Sequence, residues 1–543
     1  MASLAASRAR SLPAWPGDRP LRAWQTAALE VLRAHTGTSF LASATPAAGK
    51  TTFGLRVAHE LLSAGRVQRV VVAAPTTHIC RQWAADAARY GIDLEPNRPN
   101  SDGREPADRH GVAVTYQTIA AGPRTHRGGC ARPTLLIADE PHHMGEHAAW
   151  GSRARTAFEE ARFRLLLSGT PFRSDSNPIP WVTYDAGGIS QADYAYGYTD
   201  ALIDGVCRPI TFQPFDGEME WISDGRRRSA SFATVIPRVE DARRLRTALD
   251  PDGEWMGEVL RDADARLTAV RAAAHRDAGG LVIAADKEHA LRIAERLERI
   301  AVERPEIVTS DEPDASARIA AFAAGSRRWL VSVLMVSEGV DIPRLRVGVY
   351  ATAARTELFF RQVVGRFVRR TPTPKAQMSW LLMPADLRLK ALAARVEEER
   401  NHALQVTPVE DEVAGRRPQA AGEPGQFHAL SSSAYADEAF SSTAHGDDLA
   451  LFYEGPPKPA AAAPPPPAPC GLRRATPYEK REQLRDRRAR LVADLSRITN
   501  EPHSSIHSRL NRETGARSVS AATVDQLEKS NEILIRELRR ATN

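Results

Sequence analysis

Two stretches of this chain hold side chains whose types and spacing suit chemistry on a phosphate ester. Residues Leu136 to His143 read L-I-A-D-E-P-H-H, an apolar run that ends in two adjacent acids. Such a run fits a buried parallel strand delivering Asp139 and Glu140 to the carboxyl edge of a sheet, where open α/β folds bind ligands. One carboxylate there can hold Mg2+ through its water shell, and the other can orient or deprotonate an attacking water. The plainer alternative is a strand followed by an acidic helix cap. Upstream, Ala44-Thr45-Pro46-Ala47-Ala48-Gly49-Lys50-Thr51 follows one apolar stretch and opens a helical one. The backbone from Ala47 and Ala48 through Gly49, Lys50, Thr51 and Thr52 would cradle anionic phosphates. Lys50 would neutralise their charge, and the Thr51 hydroxyl would reach Mg2+. The pattern G-x-x-x-x-G-K-[ST] is broken at its first position, Ala44, and Ala47 stands where many such loops carry glycine.

A third cluster lies far downstream. Gln362-Val363-Val364-Gly365-Arg366-Phe367-Val368-Arg369 reads as a helix, on which Arg366 and Arg369, three apart, share one side. Two guanidiniums on one face can stabilise charge on a transferring γ-phosphoryl group. The alternative is a basic helix end facing its own dipole.

These residues need elements to hold them. Strands are expected at Ser39–Ala44, Val70–Ala74, Gly111–Thr115, Thr134–Ala138 and Arg164–Leu167, alternating with helices. The alternation returns downstream, with strands at Gly280–Ala284, Trp329–Val333, Val347–Ala351 and Ser379–Met383. Strands alternating with helices make a doubly wound parallel sheet, so the expected fold is α/β with two such units in tandem. The boundaries are 1–203 for the first unit and 204–400 for the second. Asp216 to Asp250, polar and carrying Arg226-Arg227-Arg228, reads as a linker or insertion. Residues 401–472 are rich in Pro, Ala and Gly and are expected to form a largely disordered tether. Residues 473–543 return to helical patterning, opening at Thr476-Pro477 and closing with Leu527, Ile533, Leu534 and Leu538 on one face.

In order, these segments resemble the motif series of superfamily 2 helicases and translocases, over roughly residues 20 to 385. Leu21-Arg22-Ala23-Trp24-Gln25 resembles the upstream glutamine motif, and Ala44–Thr51 resembles motif I. Ala74-Pro75-Thr76 with Arg81-Gln82-Trp83 resembles motif Ia, and Val114-Thr115-Tyr116-Gln117 resembles motif Ib. Asp139-Glu140-Pro141-His142 is similar to a D-E-x-H motif II, and Ser168-Gly169-Thr170-Pro171 to motif III. Val336 to Pro343 resembles motif V, and Gln362 to Arg369 fits motif VI. Type III restriction helicase subunits and related repair helicases are the most similar in flavour.

The resemblance implies two RecA-like domains that close on ATP and Mg2+. It gives Gln25 the adenine, and Gly339 and Asp341 the ribose side. Thr76, Arg81, Thr115, Gln117 and Ser337 become contacts to the tracked strand. His142 and Gln362 would bridge the nucleotide and nucleic-acid sites, and Ser168 and Thr170 would link ATP state to domain closure. The expected partner is DNA, single-stranded or duplex, bound without sequence preference because phosphate carries no base information. The alternatives are an RNA helicase of the same architecture and a nucleic-acid-binding adaptor with weak ATPase.

Composition fits. The chain has 543 residues, 42% hydrophobic and 26% charged, as in ordinary globular proteins. No apolar run approaches a membrane span, so no membrane partner is expected. Cys80, Cys130, Cys207 and Cys470 are scattered, which argues against zinc and disulfides, and a cytoplasmic location is the default. The formal charge is +6. Residues 471–543 carry sixteen Lys and Arg against ten Asp and Glu, which matches the whole excess. A basic appendage suggests a polyanion contact or a protein partner. Its removal would be expected to spare hydrolysis and weaken binding.

Overall fold

The computed structural model describes residues 12–102, 108–146, 148–169, 178–186, 189–273, 275–309, 315–333, 342–374, 377–402, 427–436 and 476–542. The chain divides into two compact units. One comprises Met1–Ala44, Gly49–Ala195 and Pro459–Asn543; the other comprises Thr45–Ala48 and Tyr196–Lys458.

The first unit is built on β1 (Ser39–Ala44), β2 (Arg69–Ala74), β3 (Leu94–Pro96), β4 (Gly111–Thr115), β5 (Thr134–Asp139) and β6 (Phe163–Ser168). Two short strands, β7 (Thr183–Tyr184) and β8 (Ser190–Gln191), pair with each other, and β9 (Tyr194–Tyr196) joins the main sheet. The main order is β3-β4-β2-β5-β6-β1-β9, with β1 to β6 paired in parallel. The alternation of side chains fixes the register. Leu41, Val71, Ala73, Val112, Val114, Leu136, Ala138 and Leu166 form one face and pack on Ala154, Ala157 and Phe158. Helix α1 (Ala23–Ala34) precedes β1, and α2 (Lys50–Ser63), α3 (Thr77–Ala88) and α4 (Tyr116–Ala121) lie between the strands. β2 is apolar from Val70 to Ala74 and β5 from Leu135 to Ala138, as expected of parallel strands covered on both faces.

The C-terminal residues belong to this unit. Thr476 caps a helix over Pro477–Thr499, accepting from the Glu479 N–H at 3.2 Å, with Pro477 at its first position. Helices His503–Thr514 and Val524–Thr542 follow. Val492, Leu495, Ile506, Leu510 and Leu534 form their small core, with Ile533 and Leu538 packed against it. Some of the tail's basic residues are spent inside the protein, Arg481 and Arg488 being buried and Arg485 half-buried, while others such as Arg487, Arg490, Arg497, Arg512 and Arg517 stay exposed. Arg481 is buried and donates to Asp93 at 2.6 Å, beside edge strand β3. Arg485 pairs with Glu95 at 2.9 Å, as does Arg109 at 2.8 Å. Arg109 also donates to the Ala522 carbonyl at 2.9 Å, and the Ser520 hydroxyl donates to Asp102 at 2.6 Å. Burial works against the charge on Arg481, but Asp93 and Glu95 outweigh it and raise its pKa. The tail is therefore an integral cover for β3, whose unpaired edge would otherwise be exposed.

The second unit repeats the plan. Its strands are β10 (Ile210–Asp216), β11 (Met219–Ser223), β12 (Arg226–Ala230), β13 (Gly279–Ala284), β14 (Glu306–Val308), β15 (Trp329–Val333), β16 (Leu345–Ala351), β17 (Ser379–Pro384), β18 (Phe427–Ser432) and β19 (Tyr435–Ala436). The main order is β14-β15-β13-β16-β17-β10-β19, parallel from β14 to β10, with β19 antiparallel. Two RecA-like α/β units thus lie in tandem. The stretch read as a linker or insertion is ordered. β11 and β12 form a hairpin across Asp224-Gly225, both at positive φ, and helix Arg238–Ala248 follows. Met219 and Trp221 alternate inward, while Arg226, Arg227 and Arg228 lie on the exposed strand. Within 401–472, β18 pairs with β11, so part of the expected tether completes this small sheet. No described helix is long and apolar enough to cross a membrane.

Candidate nucleotide site

The site grows from the carboxyl ends of β1, β5 and β6. β1 ends at Ala44, the chain turns through Thr45–Ala48, and α2 opens at Lys50. The Ala48 N–H donates to the Thr45 carbonyl at 3.1 Å. Gly49 has φ of 92°, and a Cβ there would lie 2.9 Å from Gln25 Nε2. Only glycine fits both demands. Ala47 has φ of 68°, a left-handed conformation that costs a non-glycine residue about 1–3 kcal/mol. The loop accordingly takes its shape without the usual glycines, and strain is stored at Ala47. Half-buried Thr51 and Thr52 follow Lys50 in the first turn of α2, whose N–H groups form an anion-binding end.

Gln25 is buried against this loop. Its Nε2 donates to the Gly49 carbonyl at 2.9 Å, and its Oε1 accepts the Arg22 N–H at 2.9 Å. One end of its amide braces the loop, and the other caps the start of its own helix.

β5 delivers the two acids. The Trp83 indole N–H donates to Asp139 Oδ2 at 2.8 Å, and the Tyr116 hydroxyl donates to the Asp139 carbonyl at 2.8 Å. Glu140 turns out of the strand at φ of 52°, a strained position at a candidate catalytic residue. Lys50 Nζ reaches Glu140 Oε1 at 3.2 Å and the Ala44 carbonyl at 3.2 Å. The Gly169 N–H donates to Glu140 Oε2 at 3.0 Å, and His142 Nδ1 is 3.6 Å from the same oxygen. Burial alone would raise the Glu140 pKa, but Lys50, His142 and the Gly169 N–H overcome it and hold the carboxyl well below the usual range.

Gly169 was not singled out by sequence as a site residue, yet it touches the centre. A Cβ there would lie 3.0 Å from Lys50 Nζ and 3.1 Å from Glu140 Oε1. Gly169→Ala should push the Lys50–Glu140 pair off its geometry and lower phosphate release by up to about 10²-fold, the cost of a small misplacement. Steady-state kinetics checks this, and an unchanged rate would contradict it. Trp83 and Tyr116 were also missed, although each sits inside a quoted motif. Their aromatic type reads as core packing until the partner oxygen is seen.

Ser168 ends β6, buried and in register with Ser43 of β1. Thr76 lies just past β2 and Thr115 ends β4, and both cap the following helices. Thr76 accepts the Ile79 N–H at 3.3 Å, and Thr115 accepts the Thr118 N–H at 3.1 Å. Both hydroxyls thus serve the backbone. Arg81 and Gln117 are exposed on α3 and α4. Thr170, Ser337, Gly339 and Asp341 lie outside the described residues.

In the second unit, Gln362 and Arg366 are half-buried on helix Glu357–Phe367. Arg369 is not on that helix, which corrects the expectation that one helix carries both arginines. The helix stops at Phe367 because buried Arg208 takes its end: Nε donates to the Phe367 carbonyl at 2.7 Å, and the Arg208 N–H donates to the Val368 carbonyl at 2.7 Å. Arg369 then forms an antiparallel bridge with Cys207.

A family model described as the type III restriction enzyme, res subunit, matches residues 18–173, the segment that carries Gln25, Lys50, Asp139, Glu140 and Gly169. Along nearly its full length the chain is similar to two mycobacterial proteins. "Uncharacterized protein MT2985" of Mycobacterium tuberculosis (strain CDC 1551 / Oshkosh) is 41% identical, over 94% of this chain and 91% of that one. "Uncharacterized protein ML1624" of Mycobacterium leprae (strain TN) is 40% identical, over 94% and 92%. The chain belongs to their family. Among solved structures, the fragment of a putative HsdR subunit of a type I restriction enzyme from Vibrio vulnificus YJ016 has a TM-score of 0.49 and 19% identity. That match covers 68% of this chain and 65% of that chain, just under two thirds of its length.

Proposed function

We propose that this protein is a superfamily 2 motor that hydrolyses ATP and uses the energy to move along DNA. The observation that carries the proposal is the contact set of Lys50, Glu140 and Gly169 between a phosphate-binding helix end and the D-E pair. Lys50 and Glu140 are paired at 3.2 Å. Nucleotide phosphates would draw Lys50 away, because they offer more negative charge than one carboxylate. Glu140 then loses its strongest neighbouring cation and becomes more basic. It stays held by the Gly169 N–H and takes a proton from the water that attacks the γ-phosphorus, while the bond to the β-phosphate oxygen breaks.

Asp139, braced at one oxygen by Trp83, and the Thr51 hydroxyl are assigned to Mg2+, an ion that takes oxygen donors of this kind. When bound, that ion neutralises charge on the β- and γ-phosphate oxygens. Arg366 and Arg369 of the second RecA-like unit are assigned to the transferring phosphoryl group. Gln362 and His142 are assigned to bridging the nucleotide and nucleic-acid sites, and Ser168 and Thr170 to domain closure. Ala47, Ala48, Gly49 and Thr52 are assigned to the phosphates, Gln25 to the adenine side, and Gly339 and Asp341 to the ribose side. Thr76, Arg81, Thr115, Gln117 and Ser337 are assigned to the strand backbone. DNA is favoured over RNA because the glutamine motif and Ser168-Gly169-Thr170-Pro171-Phe172-Arg173 resemble DNA-acting helicases more.

Lys50→Ala tests the reading against an adaptor with a vestigial site. A fluorescent ATP analogue with Mg2+ should bind the variant much more weakly, and DNA-stimulated phosphate release should vanish. Undiminished release would favour the adaptor.

A further inference from the structure

Trp83 links α3 directly to the Asp139 carboxylate. Its indole is buried, and its N–H is 2.8 Å from Asp139 Oδ2. It sits on α3, whose start is fixed by the Thr76 hydroxyl on the Ile79 N–H and by Asn97 Nδ2 on the Thr77 carbonyl, 3.1 Å away. Arg81, two residues before Trp83, is exposed. Residues two apart on a helix face different ways, so one turn of α3 carries a cation outward and an indole inward. The indole has little room to move independently. A Cβ on Gly54 of α2 would come within 2.9 Å of Trp83 Cη2 and 3.0 Å of Leu167 Cδ1. Trp83 must therefore travel with α3. A buried indole N–H keeps its acceptor because losing it is costly, so Asp139 must follow.

We propose that Trp83 is a positioning residue that converts a nucleic-acid contact on α3 into the placement of the Asp139 carboxylate. A backbone phosphate drawn to Arg81 would shift α3, and the indole would carry that shift to Asp139. This inference rests on the proposed roles of Asp139 toward Mg2+ and of α3 toward the strand. It adds the route between them. Partners of metal-binding side chains commonly change metal affinity by about 10–100-fold when removed.

The test is Trp83→Phe in the full chain, which keeps an aromatic ring and removes the N–H. Binding of a fluorescent non-hydrolysable ATP analogue is titrated with Mg2+ and, separately, in EDTA. The Mg2+ concentration for half-maximal binding should rise by about tenfold or more, with affinity in EDTA unchanged. Stimulation of phosphate release by single-stranded DNA should fall together with it. A merely structural role would weaken both arms of the binding experiment alike. Gly54→Ala is the second variant, since it displaces the indole without removing it, and should move the Mg2+ midpoint in the same direction. If the folded variants keep the wild-type midpoint and the wild-type stimulation, the inference is overturned. If the wild-type protein binds the analogue identically with and without Mg2+, the assignment of Asp139 itself fails and takes this inference with it.

Discussion

Glu140→Gln should lower kcat for ATP hydrolysis by about 10²–10⁴-fold, the usual worth of a positioned general base, while nucleotide binding persists. The amide keeps the carboxylate's shape and can still accept the Gly169 N–H, which lies 3.0 Å from Glu140 Oε2. It cannot take a proton from water. It also no longer holds Lys50 by charge, a pair now 3.2 Å apart, so Lys50 should turn to phosphate more readily. Affinity for ATP should therefore be unchanged or tighter. Single-turnover phosphate release, with analogue binding measured in parallel, separates the two effects. A variant that hydrolyses at the wild-type rate would remove Glu140 from the chemistry.

Arg481→Ala should destabilise the first unit by about 3–5 kcal/mol, the cost of breaking one side of a buried ion pair. Arg481 is 1% exposed, Asp93 5% and Glu95 2%, so the two acids would be left in a dry site with less compensating charge. For a unit of this size the unfolding midpoint should drop by roughly 6–20 °C. Arg487, exposed on the same helix, is the control, and Arg487→Ala should stay within about 0.5 kcal/mol. Calorimetry on both variants checks the difference, and equal midpoints would show that the docked tail is not held this way. The same reasoning changes what truncation should do. Removing 471–543 strips Asp93 and Glu95 of Arg481 and Arg485 and uncovers β3, so unfolding precedes any clean loss of binding.

The sequence carried the parts of the site whose signal is local. An apolar run ending in Asp139-Glu140 and a Gly-Lys-Thr opening a helix are both visible within eight residues, and both lie where such patterns put them. Gly169, Trp83 and Tyr116 escaped notice because their roles depend on approach in space. Gly169 matters through what a Cβ would strike, and the strike is on residues far away in the chain. The tail's docking was illegible for the same reason. Nothing near Arg481 says that its acid is Asp93, 388 positions earlier. A count of basic residues cannot distinguish arginines kept for a polyanion from arginines paired inside. The β11–β12 hairpin was legible in principle, since Asp224-Gly225 is a tight-turn signal. Three consecutive arginines masked it by looking like solvent-facing linker. Arg369 shows the limit of spacing arguments, because Arg208, distant in sequence, takes the helix end at Phe367, two residues short of it.

The central claim is that nucleic acid drives ATP hydrolysis at the Lys50–Glu140 centre. The most direct measurement is the rate of phosphate release by the wild-type protein with single-stranded DNA, duplex DNA, forked DNA and RNA, run in parallel against no nucleic acid. The account predicts a low basal rate that DNA raises strongly and RNA raises less. A rate that is the same in all five conditions would contradict it.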